Sequence, residues 1–79
     1  MRVLEEIPHD SYKITIFQWN GKYIIKVEQG MLEQSYKVDE TEFFNTDDVK
    51  KLLNDTFLDA VQKRFRDMHM DLMASMQTL

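Results

Sequence analysis

The sequence predicts an α+β fold: an antiparallel three-stranded meander, with room for a fourth short strand at the N-terminus, followed by one long C-terminal α-helix packed on one sheet face. Three observations predict it. Apolar residues alternate before Asp39 and recur every three or four residues after it. Asn20-Gly21 stands between two alternating runs, a strong short-range hairpin signal. No Gly or Pro follows Gly30, so nothing interrupts the helical spacing.

The elements follow in chain order. Strands are expected over residues 12–19, 22–29 and 32–38. An Asn20-Gly21 turn sets residues whose numbers sum to 41 opposite each other, pairing Ile16 with Ile25, Phe17 with Ile24 and Lys13 with Glu28. For the second hairpin, a Gln29-Gly30 loop is favoured because it sets Lys26 against Glu33. A Gly30-Met31 loop would set Glu28 against Glu33 instead. Both registers leave the same core face: Tyr12, Ile14, Ile16, Tyr23, Ile25, Val27, Leu32, Tyr36 and Val38. Residues 2–7 offer a short extra strand with Val3 and Ile7 on one side, ended by Pro8.

The helix is expected over residues 46–77, capped by Asn45, with Asp47 and Asp48 at the positive end of its dipole. Phe44 and Val49 are placed to form a hydrophobic staple around the cap. Such a helix is about 48 Å long, whereas an eight-residue strand spans about 27 Å. The helix therefore outruns the sheet, and its last turns carry Phe65, Met68, Leu72, Met73, Met76 and Leu79. Those six residues are the expected seam of a homodimer, because large apolar side chains left in water forgo burial energy. A helix ending near Asp67, with a frayed or folded-back tail, is the competing shape.

Composition narrows the function classes. The chain has 79 residues, no cysteine and a net charge of −4, which fits one domain and excludes a disulfide scaffold or a cysteine-built metal site. Residues 1–38 carry five bases and five acids, so the acidic excess lies entirely in residues 39–79. No apolar run is long enough for a membrane span. The first eight residues carry acids where a secretory leader has its apolar stretch, so a reduced, cytoplasmic protein is expected.

The outer sheet face groups Phe17, Trp19 and Ile24 with Lys13, Lys22, Lys26 and Lys37. Aromatics among lysines on an open sheet can stack unpaired bases while ammonium groups meet phosphates. Single-strand binders of the PUR and Whirly type also follow an antiparallel sheet with a helix and dimerise. This chain resembles them in element order alone. The competing expectation is that the N-terminal strand or a dimer mate covers this face, and the net negative charge disfavours nucleic acid.

The methionines at 68, 70, 73 and 76 fit a helix-recognition surface, and more simply a core or dimer seam. His69 lies two residues from Asp67 and from Asp71, off their shared face, so no ligand spacing appears. Asp39, Glu40 and Glu42 cluster before the helix without an apolar pocket to make one a general acid. No catalytic motif, cofactor or metal is assigned. The expectation is a small non-enzymatic homodimeric binding or assembly module, with a protein partner admitted. The alternatives are single-stranded nucleic-acid binding through the outer face and, third, an enzyme subunit or small-molecule binder using a pocket formed between two protomers.

Overall fold

The computed structural model describes all 79 residues: four strands in one antiparallel sheet, a 3-10 turn at Glu40–Glu42, then two α-helices on one face of the sheet. The strands are β1 (Arg2–Ile7), β2 (Lys13–Trp19), β3 (Lys22–Gln29) and β4 (Leu32–Asp39), in the spatial order β1-β2-β3-β4. The fourth strand is real, and it forms the edge beside β2.

The β2–β3 hairpin has the register that the Asn20-Gly21 turn dictates, with Ile16 opposite Ile25 and Lys13 opposite Glu28. Asn20 and Gly21 take φ of 54° and 75°, the paired positive values of a tight two-residue turn. The β3–β4 hairpin departs from the favoured loop. Its turn is Gly30-Met31, with Gln29 opposite Leu32 and Glu28 opposite Glu33. Only Gly30 of the two has positive φ, at 59°, as a turn with glycine first requires. The like-charged pair is relieved by Lys26, whose Nζ lies 3.4 Å from Glu28 and 3.7 Å from Glu33.

A bulge in β1 overturns a second expectation. Val3 lies opposite Phe17 but Glu5 lies opposite Ile16, which makes Leu4 the extra residue. Val3 therefore joins the outer face, and Ile7, opposite Ile14, joins the core face. Glu5 is turned toward the helices, where its carboxylate meets Lys50 at 2.5 Å.

The long helix is interrupted. A short α1 (Thr46–Lys50) precedes α2 (Asp55–Gln77), and residues 51–54 form a turn between them. Asn45 caps α1 as expected, accepting from the Asp48 amide at 3.0 Å. The staple does not form, because Phe44 is 97% exposed. Phe43 packs instead, edge-on to Tyr23. At the break, the Leu52 and Leu53 amides bond back three residues, which tightens the chain. Asn54 then caps the new helix, accepting from the Phe57 amide at 2.9 Å. The uninterrupted apolar spacing hid this second start, and Asn54-Asp55 is the signal that carries it.

The core lies between the sheet and the helices. Tyr12, Ile14, Ile16, Tyr23, Ile25 and Val27 are buried against Val49, Val61 and Phe65, with Leu32, Tyr36 and Val38 packed around them. All nine residues of the expected core face belong to this cluster or pack against it.

Candidate interaction surfaces

Three features could serve recognition: the outer sheet face, a polar lock between β4 and α2, and the free end of α2. On the outer face, Thr15 and Ile24 are buried although no helix covers them. Lys26 Nζ lies 5.8 Å from the Phe17 ring centre, and Lys37 Nζ lies 5.9 Å from that of Trp19. These are cation–π distances, so the two ammonium groups lie over rings of their own sheet.

Acids match the remaining charge of this face. Lys13 lies opposite Glu28, and Lys22 lies opposite Asp39. The Asp39 carboxyl is held below the ordinary aspartate range, chiefly by hydrogen bonds from the Thr41 amide and hydroxyl, with Lys22 adding to the effect. Of the seven residues expected to form a binding face, Ile24 is buried, and Trp19 is the most exposed apolar one, at 48%. The N-terminal strand runs along the sheet edge and leaves the face uncovered.

The polar lock escaped the sequence reading. Gln34 is the one polar residue among the core-facing positions of β4, and that oddity is the signal that could have found it. Its amide nitrogen donates to the Val61 carbonyl at 3.0 Å, and its oxygen accepts from Tyr36 Oη at 2.5 Å and Arg64 Nε at 2.9 Å. Arg64 also donates to Tyr36 Oη at 2.8 Å. Phe57 meets the Tyr36 ring edge-on, at 5.1 Å between centres. This closed network pins the first half of α2 to the edge strand and fixes how far the helix projects.

At 23 residues α2 is about 35 Å long, so its second half passes beyond the Gly30-Met31 turn. The expected seam divides here. Phe65 belongs to the chain's own core, packed on Tyr12 at 5.7 Å between ring centres, and Met68 is half-buried beside it. Phe65 therefore drops out of the expected seam, because the chain's own sheet covers it, and Met68 stands at the border of that cover. Leu72, Met73, Met76 and Leu79 are exposed, as is Met70. Between this end and the β3–β4 turn runs a groove of about 490 Å³, bordered by Met31, Leu32, Phe65, Arg66, His69 and Met73 among others.

Other candidates serve local structure. His9 Nδ1 accepts from the Ser11 amide at 3.0 Å, and its ring stacks on Tyr12. Glu40 accepts from Gln18 at 2.8 Å. No group of three His, Cys, Asp or Glu residues is placed to hold a metal ion, and no buried side-chain nitrogen or oxygen lacks a hydrogen-bond partner. No helix is long and apolar enough to cross a membrane. Comparison with protein-family models, curated proteins and solved structures found no match.

Proposed function

We propose that this chain is a small cytoplasmic homodimeric binding or assembly module without chemistry of its own, associating through the projecting end of α2. The observation that carries the reading is the run of exposed apolar side chains, Met70, Leu72, Met73, Met76 and Leu79, on a helix that its own sheet covers only as far as Met68. A second copy is the most economical cover, since a twofold interface buries the same patch on both chains.

Sedimentation tests this reading. The wild type sediments at twice its 9.5 kDa chain mass, and Leu72→Asp with Met76→Asp sediments as a folded monomer. A wild type that is monomeric throughout a concentration series overturns the proposal.

One observation favours a second reading, single-stranded nucleic-acid binding: Trp19 is half exposed beside Lys22 and Lys37 at the rim of the outer face. Quenching of Trp19 fluorescence by an oligonucleotide at low salt supports it. Unchanged fluorescence, or binding that survives Trp19→Ala, removes it.

A further inference from the structure

The two edges of the sheet are built differently. β1 is broken by the bulge at Leu4, whereas β4 pairs without interruption from Asp39 to Leu32. The Glu40 amide donates to the Gly21 carbonyl at 3.1 Å, which fixes the phase of the β3–β4 ladder. Hydrogen-bonded pairs alternate along an antiparallel ladder, so residues 32, 34, 36 and 38 bond inward to β3. Glu33, Ser35 and Lys37 therefore turn their amides and carbonyls away from the sheet. All three are exposed, and no backbone bond from elsewhere in the chain reaches them.

We propose that β4 of one copy pairs antiparallel with β4 of a second copy about a twofold axis at Ser35, joining two sheets into one of eight strands. This rests on the homodimer reading and adds a strand-to-strand joint to the contact made by the α2 end. Charge selects the register. With Ser35 against Ser35, Glu33 of each copy lies opposite Lys37 of the other, giving two opposite-charge cross-strand pairs. A twofold axis at Glu33 or at Lys37 would set like charges together, and one between Ser35 and Lys37 would set Glu33 against Asp39. Charged edge residues ordinarily prevent edge pairing. Here their opposite signs, spaced equally about Ser35, make the edge complementary to itself.

The same register accounts for the apolar end of α2. It sets Met31 of one copy opposite Asp39 of the other. The sheet end past which α2 projects then lies beside the end where the second copy's chain leaves β4 for Phe44. Phe44 is 97% exposed, and Leu72 and Met76 are 41% and 55% exposed. Strand pairing brings these uncovered groups to one side of the joint.

Cysteine cross-linking tests the register, because the native chain has no cysteine. In the proposed dimer the two Ser35 Cα atoms lie about 5.5 Å apart, within disulfide reach. The two Lys37 Cα atoms lie about 14 Å apart, four residues along the ladder. Under mild oxidation, Ser35→Cys is expected to become mostly covalent dimer and Lys37→Cys at least several-fold less. Mixed Glu33→Cys and Lys37→Cys chains are expected to cross-link with each other. Equal cross-linking of Ser35→Cys and Lys37→Cys overturns the register. A wild type that sediments as a dimer while Ser35→Cys stays uncross-linked overturns the β4 interface and leaves the homodimer standing. A monomeric wild type overturns both.

Discussion

In the first half of α2, Val61 and Phe65 are 0% and 2% exposed, while in the second half Leu72 and Met76, at the same helical spacing, are 41% and 55% exposed. The helix does not change between them; its neighbour does. β4 and the Gln34 lock hold the first half against the sheet, and core packing stops at Met68, early in the second half. Periodic apolar spacing shows that a helix face is built for burial. Whether its own domain supplies the cover depends on the lengths of the packed elements.

Substitutions in the two halves should therefore fail in different ways. Phe65→Ala opens a cavity in the core and is expected to lower folding stability by about 3–5 kcal/mol, read from urea unfolding at low protein concentration. Leu72→Asp with Met76→Asp should change the unfolding of the isolated chain by less than about 0.5 kcal/mol. It should weaken association by about 100-fold or more. A large loss of monomer stability from the second pair would show that α2 folds back in solution.

Smaller effects sharpen the same contrast. Asn54→Ala removes the cap that starts α2 and is expected to cost about 1 kcal/mol in thermal or chemical melts. Association should weaken little, provided the projecting end keeps its direction. pH dependence should arise from the sheet and α1 side of the molecule. Asp48 is held below the ordinary aspartate range chiefly by the Phe44 amide, with Lys51 adding, and Asp39 is lowered by Thr41. Their folded values lie below their unfolded ones, so their stabilisation is present above the ordinary carboxylate range and is lost as pH falls through the lowered values. Lys50 is shifted upward, chiefly by its hydrogen bond to Glu5, and Tyr12 is shifted upward, chiefly by burial. Their contribution is full below their ordinary values and is lost as pH rises through the raised ones. Melts across pH should be flat between these limits, and Asp48→Asn should lessen the acid decline.

Much of this contrast was legible in the sequence, for local reasons. Asn20 and Gly21 both tolerate positive φ, so they fixed one register and with it the core face. The second hairpin is not legible from direct pairs because the deciding contact is diagonal: Lys26 reaches both Glu28 and Glu33, which makes their direct pairing tolerable. The bulge at Leu4 had no glycine to announce it. The break before Asn54 was masked by apolar spacing that continued across it. The seam began too early, at Phe65, because a helix start misplaced to Thr46 also misplaces the point where sheet cover ends. Gln34 is a lone polar residue on an apolar face whose partner, Arg64, comes from 30 residues away, beyond any local pattern.

Amide hydrogen exchange along α2 at two protein concentrations distinguishes a helix end covered by a second copy from a free one. At high concentration residues 57–65 and residues 69–77 alike are expected to exchange slowly, with dilution releasing only the second group. Fast exchange of residues 69–77 at both concentrations, unchanged by raising the protein concentration, would contradict cover by a second copy.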